Sequence, residues 1–150
     1  MAIARGAGTE IIRSAHFEYI ASETASKLII LGEQHHIYTV LSIVAYAYQA
    51  NDGLKCYLLA YDSLAGESDQ AMYIFNSEGI ASQKTYVWND KFSFNGYEPA
   101  DFASGGLTVT ADQDKLADQA SSAPQALRIQ KNHNNDQFHV HVTYIDQNNA

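Results

Sequence analysis

The chain contains one cysteine, Cys56, and two prolines in 150 residues. A single thiol excludes an internal disulfide and leaves no cysteine cluster to hold a metal. Its place within an apolar run marks it as a small buried hydrophobe, and the scarcity of thiols suits a reducing cytosol or a particle assembled there. Charge is sparse at 17% of residues. Basic residues are the scarcer sign: nine Lys and Arg against 17 Asp and Glu, for a net charge of −8. The nine are scattered, so no phosphate-binding face and no nucleic-acid partner are expected. Long hydrophobic runs are missing too. The most apolar stretch, His36–Tyr48, falls short of the ~20 residues of a membrane-spanning helix, so no membrane partner is expected. Met1–Gly8 is small and polar, without the apolar core of a signal peptide. Nucleophile-elbow, P-loop and dinucleotide patterns are absent. The carboxylates Glu10, Glu18, Glu33, Asp62, Asp90 and Glu98 are dispersed and nominate no acid–base pair.

What is present is strand-forming material: ten Tyr and six Phe with 46% hydrophobic residues, enough for a core in one domain. The central stretch, Glu33–Asp62, holds two apolar runs around Asn51-Asp52-Gly53 and reads as an antiparallel hairpin on a tight turn. Its first run is apolar on both alternating faces. Ile37, Leu41 and Ile43 point one way; Tyr38, Val40, Val44, Tyr46 and Tyr48 point the other. Such a strand asks for cover on both sides. Glu10–Ile20 alternates with Ile11, Ala15, Phe17 and Tyr19 on one face and Arg13 as the exception. Further strands are expected over Lys27–Leu31, Gln70–Asn76, Lys84–Phe94 and Leu107–Ala111. A last hairpin joins Ala126–Lys131 to Gln137–Ile145 across Asn132–Asp136, and Asp112–Ser122 is compatible with a turn or two of helix. The expected fold is all-β: an antiparallel, jelly-roll-like β-sandwich. Residues 1–9 form a flexible N-terminal arm and residues 10–150 a single domain.

Two patterns carry possible chemistry. His139 and His141 form an H-x-H pair whose Cβ atoms share a strand face about 6.6 Å apart, a spacing that suits two ligands of one metal, as in cupin-like proteins. His133, His35 or His36 are the candidates for a third ligand, and Glu33 for a carboxylate. The bland alternative is a pair of polar residues on a solvated face. Aromatic residues over Tyr86–Tyr97, Trp88 and Tyr97 foremost, suit a sugar-stacking face; at alternating spacing such residues also fill cores. This gives a carbohydrate- or receptor-binding sandwich as the second reading, and a cupin-like metal-binding protein as the third.

The runs Arg5–Ser14, Gly32–Ile43, Tyr86–Phe94 and Val142–Ala150 together resemble small virion proteins of tailed bacteriophages, especially those of marine and cyanobacterial hosts. The resemblance implies a non-enzymatic capsid decoration or cement protein, or a tail-associated one, without cofactor and located in the virion. Its partners would be copies of itself, as a homotrimer, and other virion proteins such as the major capsid protein. A surface of neutral polar residues and a loose arm agree with packing among copies. The residues expected at that interface are Arg5, Ile11, Ile12 and Arg13 in the arm and first strand, and Tyr46, Tyr48 and Tyr61 around the central stretch.

Overall fold

The computed structural model describes residues 8–20, 22–23, 25–50, 53–60, 70–97, 109–111 and 124–149. Arg5, Tyr61, most of the arm and the stretch 112–122 lie outside them. Nine strands follow one another: β1 (Glu10–Tyr19), β2 (Lys27–Leu31), β3 (His36–Gln49), β4 (Leu54–Ala60), β5 (Gln70–Glu78), β6 (Lys84–Trp88), β7 (Phe92–Asn95), β8 (Ala126–Lys131) and β9 (Gln137–Asn148). They form two antiparallel sheets. The first has the order β1-β9-β3-β6, with β7 continuing the β6 row along β3, and the second has the order β2-β8-β4-β5. This interleaving is the double-sheet jelly roll. The all-β sandwich read from the sequence is the fold observed.

Both expected hairpins take a different form. β3 pairs with β9, β6 and β7, whereas β4 pairs with β5 and β8. The connection from β3 to β4, of which Gly53 is described and Asn51 and Asp52 lie outside the described residues, therefore links the two sheets rather than turning a hairpin. The same holds for β8 and β9 across Asn132–Asp136. The physical reason is burial. Ile43, Ala45 and Ala47 of β3 and Leu54 and Cys56 of β4 are all fully buried, which needs the strands on opposite walls of one core rather than side by side. Gly53 keeps its conformational role, with φ at 98°, where a β-branched residue would be strained. Burial also pushes the Cys56 thiol up to about 12, so it stays an inert, protonated core side chain.

The doubly apolar pattern of β3 has a local cause. Its register against β9 shifts between Val40 and Ser42, a β-bulge that reverses which parity faces inward. Tyr38 and Val40 are buried before it, and Ile43, Ala45 and Ala47 after it. The strand does not need covering twice; its inner face changes sides.

Three inter-sheet connections meet at one end. Lys131, itself buried, donates to the carbonyls of Ile20 (2.7 Å), Asn134 (2.9 Å) and Asp136 (2.9 Å). Buried Asp136 accepts from the Gly53 N–H at 3.2 Å. Desolvation holds the Lys131 ammonium below the usual lysine range, against the pull of Asp136. Two smaller expectations also change. Residues 109–111 carry no strand. At the N-terminus, Gly8 and Thr9 already pair with Asn148, through Gly8 N–H to Asn148 O at 2.5 Å and Asn148 N–H to Thr9 O at 2.9 Å. Pairing thus begins inside the expected arm.

Candidate functional site

Alternation along β1 and β9 sorts their side chains into two clusters, one between the sheets and one on the outer wall. The inward row of β1 carries Arg13 at the position that breaks its apolar pattern. The inward row of β9 carries Asp146, one residue beyond the strand end expected at Ile145. The two meet at the end of the sandwich opposite Lys131. Arg13 Nε lies 3.0 Å from Asp146 Oδ2, and His36 Nδ1 lies 2.7 Å from Asp146 Oδ1. The Asp146 side chain is 3% exposed and that of Arg13 46%. His36 Nε2 faces Glu33 Oε2 at 3.6 Å. Tyr38 stacks on both His36 and Phe94 and accepts the Glu33 N–H at 3.1 Å. Burial raises the Tyr38 phenol, with the Asp146 charge adding to it. Burial does the same at Tyr144, where Arg13 opposes it.

This cluster clamps β1, β9 and β3 together at the mouth of the sandwich. The described residues supply no hydroxyl or thiol nucleophile bonded to His36. Asp146→Asn keeps the shape and removes the charge. Breaking a buried pair costs about 3–5 kcal/mol, discounted here because Arg13 is half in solvent. Urea denaturation should show a loss of about 2 kcal/mol at neutral pH. An unchanged midpoint would mean that the clamp contributes nothing.

The outer wall of the first sheet is different in character. By alternation it carries Glu10, Ile12, Ser14, His16 and Glu18 from β1 and His139, His141, Thr143 and Ile145 from β9. Beyond its bulge β3 adds Val44, Tyr46 and Tyr48; β6 adds Thr85 and Val87. Glu10 and Glu18 are the only charged residues among these. Ile12 is 71% exposed, Val87 53% and Tyr48 51%. Of the residues expected at an interface, Ile12, Tyr46 and Tyr48 share this wall. Tyr46 and Tyr48 meet edge to face at 5.0 Å. Ile11 and Arg13 do not belong to it: both face inward, Arg13 onto Asp146.

His139 and His141 also share this wall. Their neighbour is His16 of β1, which stands directly opposite His141 in the ladder. The sequence reading looked to His133, His35 or His36 instead, because only the pairing of the first strand with the last brings His16 in. Among the described residues no group of three or more His, Cys, Asp or Glu side chains is placed so that it could hold a metal ion. Trp88 and Tyr97 are not brought together. Trp88 pairs with Ile43 and the last residue of β7, Asn95, with Ile37, which puts them about 20 Å apart along β3. The Trp88 ring packs on Phe75 at 5.6 Å and its Nε1–H donates to the Asp90 carbonyl at 3.0 Å. It is a wall of the core rather than a free platform.

Among the described residues no helix is long and apolar enough to cross a membrane. No protein-family model matches the chain, and no curated protein matches it. Among solved structures, a protein of Bacillus endospore appendages, described as a novel family of disulfide-linked pili, aligns over 100% of this chain and 97% of its own, with 9% identity and a TM-score of 0.41. A likeness at that level carries no functional argument.

Proposed function

We propose that the protein is a non-enzymatic structural subunit of a bacteriophage particle, of the capsid decoration or cement kind. It associates with copies of itself, as a trimer, and with neighbouring virion proteins such as the major capsid protein. The observation that carries this reading is the outer wall of the β1-β9-β3-β6 sheet. It is broad, nearly uncharged, and studded with exposed Ile12, Val87 and Tyr48. Depletion of charge with retained apolar and tyrosine side chains is the composition of an interface centre rather than of open surface. The resemblance of four runs of the sequence to tailed-phage virion proteins supplies the particle. The jelly roll is compatible with that setting, being common to viral capsid and lectin domains and to cupins, and does not select it. Stabilisation would come from mass action: contacts across subunit boundaries favour the assembled state.

Light scattering after size exclusion tests this reading. The protein should run as a trimer at micromolar concentration. Ile12→Glu with Val87→Glu should yield a folded monomer, because each places a carboxylate in the contact while touching no core residue. A parent that stays monomeric at all concentrations, or a doubly substituted trimer, would overturn it.

A further inference from the structure

The outer wall of the first sheet holds three of the chain's six histidines among its exposed apolar side chains. Two cross-strand rows run over its four strands. One reads His16, His141, Val44 and Val87; the other reads Glu18, His139, Tyr46 and Thr85. The first row ends on Val87, which is 53% exposed. The second adjoins Tyr48, whose ring meets that of His139 edge to face at 4.9 Å. Ile12 stands four residues from His16 on the same strand face. The His16 ring centroid lies 5.7 Å from that of His139 and 6.4 Å from that of His141. A surface that covers Ile12, Val87 and Tyr48 therefore covers the three imidazoles as well.

Imidazole is the side chain that ordinarily changes charge between about pH 8 and pH 5. Neutral rings suit a nearly uncharged contact. Protonated rings place a cluster of cations in it. Few groups around the cluster can offset them. Glu18 Oε1 lies 3.0 Å from His139 Nε2 and can balance one charge. Glu10, the other charged residue of the wall, is six residues from His16 along β1, about 20 Å, beyond the screening length of about 8 Å in physiological salt. From β3 and β6 the two rows bring Val44, Tyr46, Thr85 and Val87, with Tyr48 beside them, and none of these is a carboxylate. Ser14 and Thr143 flank the cluster along β1 and β9. Behind it, the inward neighbours Ala15, Phe17, Val140 and Val142 are apolar.

From this juxtaposition we infer that protonation of His16, His139 and His141 switches the wall from an assembling to a non-assembling surface. The inference rests on the reading of this wall as the surface of self-association, and adds its regulation. Burial in a contact disfavours the charged form of a side chain, and one carboxylate cannot offset three imidazolium ions. The assembled form then binds fewer protons than the dissociated form, so assembly weakens as pH falls. The direction is diagnostic. Acidification also reduces the net charge of −8, which by itself eases the approach of like-charged copies. Dissociation in acid runs against that trend and requires a local cause.

Light scattering after size exclusion, on the full chain at micromolar concentration and one ionic strength, tests the switch at pH 7.5 and pH 5.0. The parent should be a trimer at pH 7.5, a monomer at pH 5.0, and a trimer again on return to pH 7.5. His16→Gln with His141→Gln removes two of the titrating rings from exposed positions and should stay trimeric at pH 5.0. His16→Lys with His141→Lys makes the charge permanent and should be monomeric at pH 7.5, a readout that needs no acid. His133→Gln, in the connection at the end of the sandwich, should respond to acid as the parent does. Circular dichroism at each pH establishes that the chains are folded. A parent trimeric at both pH values, a glutamine variant that dissociates in acid, or a lysine variant trimeric at pH 7.5 overturns the switch. A parent trimeric at both pH values leaves the assembly surface standing, whereas a parent monomeric at pH 7.5 overturns that surface and the switch with it.

Discussion

Gly96→Ala is expected to destabilise the protein by about 4 kcal/mol, although it adds one methyl group to a loop. Gly96 follows β7 where that chain crosses the connection between β2 and β3. A Cβ on Gly96 would fall on the backbone carbonyl of Glu33, and one on Gly32 would fall on the carbonyl of Gly96. The obstacle in each case is backbone, which cannot swing aside as the tip of a side chain can. Three main-chain bonds depend on the crossing: Gly32 N–H to Gln125 O, Gln125 N–H to Gly96 O, and Gly96 N–H to His36 O, each 2.8 Å. Overpacking alone costs about 1–3 kcal/mol, and disturbing these bonds adds about 1 kcal/mol each. The requirement is steric, since the positive-φ glycines described are Gly8 and Gly53. A fall in melting temperature of about 8–16 °C should follow for a chain of this size. Gly79→Ala is the control. Nothing lies within 4 Å of its added Cβ, so its effect should stay within about 1 kcal/mol and can be favourable. Equal midpoints for the two variants would mean that the strands do not cross as closely as described.

The crossing at Gly96 also shows where sequence reading stops. Asn95-Gly96 directly follows the expected strand Lys84–Phe94, and in a sequence such a glycine reads as no more than a turn residue. Nothing local says that a second backbone lies against it. Strand positions were legible because period-2 burial is a local property: Phe138, Val140 and Val142 are fully buried, as their alternation implies. Strand partners were not legible. An Asn-Asp-Gly reversal sends the chain back, but hairpin and inter-sheet link begin with the same reversal. Which one forms depends on whether the flanking apolar faces bury against a common core, a question settled by distant strands. The bulge after Val40 misled for a related reason. A one-residue slip in a ladder looks in sequence like a strand apolar on both sides.

The site residues divide in the same way. The H-x-H pair on β9 was legible because both residues lie on one strand. His16 was not, being 123 positions from His139 and joined to it only by the β1–β9 ladder. Arg13 breaks an inward apolar row and was visible as an anomaly; Asp146 was not, because the expected strand stopped at Ile145. Their pairing needed the antiparallel register in which Arg13 faces Tyr144 and Ile11 faces Asp146. The signal that could have found both clusters is the same: if the first and last strands pair, odd residues of β1 meet even residues of β9 on the inner face.

That ladder makes β9, rather than the stretch 33–62, the spine of the molecule, and Phe138→Ala should show it with a loss of about 3–5 kcal/mol. β9 is flanked on both sides, by β1 through Glu10–Tyr19 and by β3 through His36–Gln49. Phe138 sits in a row between Tyr19 and Ala47, and all three are buried to within 1%. Ala47 is small, so the benzyl group fills space that its neighbour on β3 leaves empty. Tyr19 cannot relax into the vacated volume, because its hydroxyl donates across the core to the Ile129 carbonyl of the second sheet at 2.8 Å. A cavity at this point stays open, and residual cavity volume is what lifts such substitutions above the cost of transfer alone. Urea denaturation should report a lower midpoint at unchanged slope. Val87→Ala, on the outer wall of the same sheet, should cost no more than about 0.5 kcal/mol in the dissociated chain. If the two variants lose stability equally, Phe138 does not face the core, and the assignment of inner and outer walls on which the assembly surface depends is reversed.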